Sequence, residues 1–239
     1  MEITKKILEK QNNINEKTPL TAFFGDSVTQ GCFELYVKND GGVDTEFEQN
    51  YAYHKCFACI LSYLYPKCPV NIINAGISGD DTSNALKRME RDVLAYHPDL
   101  TVVCFGINDS NKGEDFLDTY YDNLKRIFIT LKESGSEVIF MTPNMLNTRV
   151  SERICDESLR DIAYRKADIQ NSGLFDKYIE YGKRAANECD VRICDVYSKW
   201  KMLAKNGVDT TELLSNKINH PKREMHRLFA YSLIEEIMK

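Results

Sequence analysis

The 239-residue chain has no long apolar run, no excess of basic charge and only four histidines. Its 31 lysines and arginines stand among 36 acidic residues, scattered rather than gathered into a stripe, and the formal charge of −5 leaves no positive field for a polyanion. Nucleic acid is therefore not expected as a partner. Residues 1–18 are charged and polar, with Ile3, Ile7, Leu8 and Ile14 as spaced apolar positions. That stretch lacks the apolar centre of a signal peptide and the length of a membrane span. It reads as a short amphipathic lead-in helix, and the expectation is a cytoplasmic protein without membrane contact.

No internal repeat or low-complexity tract is present, and nothing in the composition marks a boundary between two cores. The expectation is one α/β domain over residues 1–239. A chain of this size buries roughly 70–75% of the surface its unfolded form exposes, so it needs neither disulfide nor metal to build a core. Eight cysteines in a long chain with a full apolar core read as reduced thiols. Cys56 and Cys59 have a C-x-x-C spacing, but they lie in a helix-periodic apolar run with no second pair at zinc-ribbon spacing.

What is there is an alternation of short apolar runs with longer segments of helical period, the pattern of a parallel sheet covered by helices on both faces. Strands are expected at 20–24, 70–74, 100–105, 137–141 and 191–194, each a near-continuous apolar stretch. Crossover helices are expected at 52–65, 83–96, 116–134 and 175–189, where apolar residues recur at three and four. A last helix runs from Pro221 to Met238, with proline at its start, where the first N–H has no partner within the helix. Two segments break the rhythm: a long polar connection at 31–50 and a charged insertion at 144–172 containing some helix. Both follow C-terminal strand ends, where open α/β sheets bind ligands, so both are candidate cleft walls.

Four segments carry chemistry-bearing residues to that same end. Gly25-Asp26-Ser27 leaves the first strand, Asn74-Ala75-Gly76-Ile77-Ser78-Gly79 leaves the second, Gly106-Ile107-Asn108-Asp109 leaves the third, and His220-Pro221 precedes the final helix. Each has a plain structural reading: a serine that caps a helix, a glycine turn, an Asx-turn and a packing histidine. Together they can bring a hydroxyl, an imidazole and several N–H donors to one carbonyl group.

These four blocks, in this order, resemble the SGNH hydrolases, also called GDSL esterases and lipases, and the resemblance runs over nearly the whole chain. It implies a three-layer α/β/α, flavodoxin-like fold with a five-stranded parallel sheet. It further implies Ser27 as nucleophile, His220 as general base, and the Gly79 N–H and Asn108 amide as oxyanion donors beside the Ser27 N–H. A serine hydroxyl is a weak nucleophile at neutral pH, so a base must take its proton, and preorganised donors must meet the alkoxide that forms. No metal or organic cofactor is implied.

One position departs from the family, which usually has an aspartate three residues before the base, where this chain has Lys217. Asn216 or a main-chain carbonyl is left to orient the imidazole, and Asp209 and Glu212 lie close enough in sequence to be considered. Asp26 and Asp109 read as turn supports, His226 as helix packing, His97 as lying at the opposite end of its strand, and His54 as outside the cleft. Phe33, Tyr36, Phe47, Tyr51 and Tyr53 form either core or a sugar-stacking wall. The resemblance implies a small-molecule ester as substrate, with an acetylated carbohydrate the leading expectation. Acyl transfer, thioester cleavage and a non-catalytic sugar- or anion-binding module remain alternatives.

Overall fold

The computed structural model describes residues 1–239. Five parallel strands form the central sheet: β1 (Leu20–Gly25), β4 (Asn71–Gly76), β5 (Leu100–Cys104), β6 (Glu137–Met141) and β7 (Arg192–Cys194), in the order β4-β1-β5-β6-β7. Among these five the chain order is 2-1-3-4-5, the flavodoxin-like arrangement, with its topological switch point beside β1. Strands β1 and β5 are buried on both faces almost throughout, which is why their sequences are continuous rather than alternating runs of apolar residues.

Helices α1 (Glu2–Asn12), α3 (Tyr53–Leu64) and α9 (Arg223–Met238) pack on one face, and α4 (Thr82–Asp92), α5 (Leu117–Glu133) and α7 (Leu174–Glu188) on the other. One cluster of 48 buried residues runs through all three layers. The acidic residue Asp99 ties the lead-in helix to the sheet: its carboxylate takes the Lys6 ammonium at 2.6 Å and the Leu20 N–H at 2.8 Å.

The polar connection after β1 is more ordered than its composition suggests. After the four-residue α2 (Ser27–Gln30) it forms an antiparallel hairpin, β2 (Cys32–Val37) with β3 (Val43–Phe47), outside the main sheet. Residues 144–172 contain α6 (Glu157–Asn171), and a further helix, α8 (Val196–Lys205), follows β7. Pro221 does not open the last helix. It forms an isolated bridge with Leu214 and precedes the cap residue Lys222, because the Ser215 N–H and the His220 carbonyl (2.7 Å) hold this stretch as a tight loop. A small second cluster of Ile154, Ala163 and Ile218 packs α6 against that loop.

Candidate active site

At the exit of β1 the chain turns into α2 within two residues. A Cβ at Gly25 would stand 2.1 Å from Thr29 Oγ1 and 2.7 Å from the Cys104 carbonyl, so only glycine lets the helix start this close to the strand. Asp26 caps α2 by accepting the Val28 N–H at 3.0 Å, and full burial pushes its carboxyl up to about 7. Ser27 follows as the first helical residue, 3% exposed. Its Oγ lies 3.0 Å from Nε2 of His220, which arrives from the loop before α9.

The other ring nitrogen, Nδ1, lies 2.8 Å from the main-chain carbonyl oxygen of Phe33 on β2. A carbonyl can only accept, so Nδ1 bears the proton and Nε2 presents its lone pair to the Ser27 hydroxyl. Burial lowers the His220 pKa to about 4, against the upward pull of the Phe33 carbonyl, so the ring is neutral at pH 7.

Asn216, a candidate from the sequence for orienting the ring, does something else. Its Oδ1 accepts the N–H groups of Ile218, Asn219 and His220 at 2.9, 2.9 and 3.0 Å, which shapes the loop that delivers the imidazole. Lys217 sits in the left-handed region at φ 59° and turns its ammonium onto Glu212, 3.1 Å from the carbonyl and 3.0 Å from Oε2. Asp209 and Glu212 are bound by Arg149 at 2.6 and 3.0 Å and do not meet the ring.

The carbonyl that does meet it is clamped from α9. Arg223 places its guanidinium 4.4 Å from the Phe33 ring centre, grips Glu34 with two 2.8 Å bonds and also pairs with Glu48. The Arg223 guanidinium draws the Glu34 carboxyl down to about 2.

Gly79 follows β4 with φ 78°, a conformation that requires glycine although open space surrounds it. Its turn is pinned by Gln30, whose Oε1 accepts the Ser78 N–H at 2.6 Å. The N–H groups of Ser27 and Gly79 have no hydrogen-bond partner within the protein. Asn108 donates one amide hydrogen to the Asp80 carbonyl at 2.8 Å, which fixes the side chain and leaves the second hydrogen over. Next to it Asp109 accepts both the N–H and the hydroxyl of Thr82, at 3.0 and 2.6 Å, and burial pushes its carboxyl up to about 6.

Ser27, Gly79, Asn108 and His220 line one open cleft of about 600 Å³. Its walls come from the two irregular connections: Leu35 and Val43 of the hairpin, and Ile162, Arg165, Lys166 and Ile169 of α6. None of the aromatic residues considered for a sugar-stacking wall lines it. Phe33 and Tyr53 are core, with Phe33 packed on His226, while Tyr36, Phe47 and Tyr51 are exposed elsewhere. His226 is buried in α9 and accepts the Tyr53 N–H at 3.1 Å; His54 is buried in α3, and His97 precedes β5 at the far end of the sheet.

Two groups beside the cleft carry no signal in the sequence. The Phe33 carbonyl is main chain, and Lys166 looks like a solvated helix charge. In fact Lys166 is 5% exposed, donates to the Ile107 carbonyl at 2.8 Å, and has its pKa lowered to about 7 by burial. No cluster of His, Cys, Asp and Glu is arranged to hold a metal ion, and no helix is long and apolar enough to cross a membrane.

A parallel sheet of this order brings a serine, a histidine and free N–H groups together at its switch point, where open α/β sheets bind ligands. Residues 23–228 match the GDSL-like lipase/acylhydrolase family, and the chain belongs to that family. It is 29% identical over 130 residues, 51% of this chain, to an acetylxylan esterase of Geobacillus stearothermophilus, and 35% identical over 72 residues, 30% of this chain, to an arylesterase of Vibrio mimicus. These matches span 58% and 36% of those relatives' own length. In three dimensions the chain is similar to the acetylxylan esterase of G. stearothermophilus, at a TM-score of 0.67 and 22% identity over 92% of this chain and 94% of that one. A lipase/acylhydrolase from Enterococcus faecalis is similar to the same degree, with a TM-score of 0.67 and 21% identity over 92% and 95%.

Proposed function

We propose that the protein hydrolyses a carboxylic ester through an acyl-enzyme on Ser27, with His220 as general base. The observation that carries this reading is the 3.0 Å approach of Ser27 Oγ to the unprotonated Nε2 of His220, with Nδ1 anchored at 2.8 Å. Nε2 takes the hydroxyl proton as Oγ attacks the carbonyl carbon, and returns it to the departing alcohol; water then repeats the sequence on the acyl group. The Ser27 and Gly79 N–H groups and the spare Asn108 hydrogen would receive the oxyanion. Each such donor is worth ~2.7–4 kcal/mol at the transition state.

The orienting group is a neutral carbonyl rather than a carboxylate, so the site works as a Ser–His dyad. The carbonyl sets the tautomer as an acid would, but supplies no full negative charge to the imidazolium. An O-acetylated carbohydrate is the leading substrate, supported by the acetylxylan esterase among its relatives and by the open, partly polar cleft. A reducing, cytoplasmic setting is in keeping with eight unpaired thiols, four of them buried.

The test is release of p-nitrophenol from its acetate with a pre-steady-state burst, abolished in Ser27→Ala, together with labelling of Ser27 by a fluorophosphonate. No Ser27-dependent turnover and no labelling would leave a non-catalytic binding module in its place.

A further inference from the structure

The cleft has a charge imbalance that ester hydrolysis alone does not require. None of its lining residues is acidic, yet two adjacent cations of α6, Arg165 and Lys166, face it. Arg165 is exposed and has no hydrogen bond or ion pair within the protein. Lys166 is buried, and its ammonium has one partner, the Ile107 carbonyl at 2.8 Å, with no carboxylate within ion-pair distance. The acids that act on it from a distance are Asp26, which caps α2 through Val28, and Asp109, which holds Thr82 through Oδ1. The second Asp109 oxygen, Oδ2, is buried without a hydrogen-bond partner, but it does not come within ion-pair distance of the ammonium.

Removing an ammonium from water without a counterion is costly, which is why burial draws the Lys166 pKa down to about 7; an anion brought into the cleft would favour its charged form. A lysine that merely covered the wall would extend its head to solvent, as long cationic side chains ordinarily do. Here the head is turned inward, onto the carbonyl of the residue beside Asn108. An ammonium with donors to spare, next to a guanidinium with all of its own free, is a recognition pair for an anion.

We propose that this cleft takes an ester whose acyl or alcohol part carries an anionic group, held by Arg165 and Lys166 while the ester carbonyl lies over Ser27. Among acetylated sugars that means one bearing a carboxylate, phosphate or sulfate. The inference rests on the esterase reading above and narrows its substrate class.

The experiment measures kcat/KM for two matched pairs: 4-acetoxybenzoate against its methyl ester, with the charge on the alcohol side, and 4-nitrophenyl hydrogen adipate against its methyl ester, with the charge on the acyl side. The charged-to-neutral ratio is compared between wild type, Arg165→Ala and Lys166→Met, so that intrinsic reactivity differences cancel. In at least one pair the ratio should fall by about tenfold to a hundredfold in Lys166→Met, the worth of a hydrogen bond to a charged group, and by less in the exposed Arg165→Ala. The wild-type ratio in that pair should also drop with added salt. Turnover of the neutral esters in the same variants reports whether the site is still assembled. Ser27-dependent hydrolysis with a ratio that neither substitution moves would overturn the anion site and leave the esterase standing, whereas no hydrolysis of any of the four esters would sink the esterase reading itself.

Discussion

His220 donates its Nδ1–H to the carbonyl oxygen of Phe33 at 2.8 Å, across 187 residues of sequence. The imidazole is thus oriented by a hairpin outside the main sheet, and that hairpin is fixed to α9 by Arg223 through Glu34, Glu48 and the Phe33 ring. If His220 is the base, as proposed, Arg223 positions it at one remove from the chemistry. Arg223→Ala should lower kcat by roughly tenfold to a hundredfold with a small change in KM, the scale expected when a reacting group is displaced by about 1 Å. Glu34→Gln, which keeps the shape and loses one charge, should fall between wild type and Arg223→Ala. A change in KM alone would argue that the clamp serves substrate binding instead.

Because burial holds the His220 pKa near 4, the base stays unprotonated well into acid. In the proposed mechanism the group works in its neutral form, so a depressed pKa extends activity downward in pH. The kcat/KM profile, which reports the free enzyme, should be level from pH 7 to about 5.5 and fall only as pH approaches about 4. An acid limb centred near the ordinary histidine value of about 6.5 would contradict this. Asp26, raised to about 7, can add an inflection of its own, which Asp26→Asn would remove.

How much of this was legible beforehand divides along a physical line. The inner strands β1, β5 and β6 stood out because a strand buried on both faces must be apolar nearly throughout, and the edge strands β4 and β7, partly exposed, by the short apolar runs they keep. Ser27, Gly79, Asn108 and His220 stood out because they lie at strand ends and before the last helix in the order of the four blocks. The β2–β3 hairpin was hidden by exposed Glu34, Tyr36 and Glu46, since a ribbon outside the core needs few apolar residues. Its one local sign was Asp40-Gly41 between alternating segments, a turn pair suited to positive φ, and Gly41 indeed has φ 81°. The Phe33 carbonyl had no sign at all, because every residue has one. Lys217, at the position where the family usually has an aspartate, does not meet the ring: its ammonium is held by Glu212.

His54 is wholly buried against Phe23 and Tyr53, and neither ring nitrogen has a hydrogen-bond partner. Burial lowers its pKa to about 4. The unfolded chain therefore binds a proton near 6.5 that the folded one refuses until about 4, so this residue's contribution to stability is present above about 6.5 and is lost as pH falls toward 4. His54→Phe removes both the unpaired nitrogens and the titration. It should raise the thermal midpoint at pH 7, and the gain over wild type should widen between pH 6.5 and 4.5. A gap that stays constant or narrows on acidification would show that His54 does not resist protonation in the folded state.

Two glycines of the block after β4 should fail in different ways when changed to alanine. A Cβ at Gly76 would stand 2.3 Å from the Gln30 nitrogen and 2.7 Å from the Thr29 carbonyl carbon, both main chain of α2, so the helix carrying Ser27 has to move. Gly76→Ala should unfold several degrees earlier and lose activity together with stability. A Cβ at Gly79 meets nothing within 4 Å, but the residue sits at φ 78°, where alanine is strained by ~1–2 kcal/mol. The chain can relieve that strain by rotating the 78–80 turn, which takes the Gly79 N–H out of the cleft while the core is untouched. Gly79→Ala should therefore keep a thermal midpoint close to wild type and lose roughly a hundredfold or more in kcat, the loss of one oxyanion donor. Full activity in a well-folded Gly79→Ala would remove this N–H from the site and leave Ser27 and Asn108 to receive the oxyanion alone.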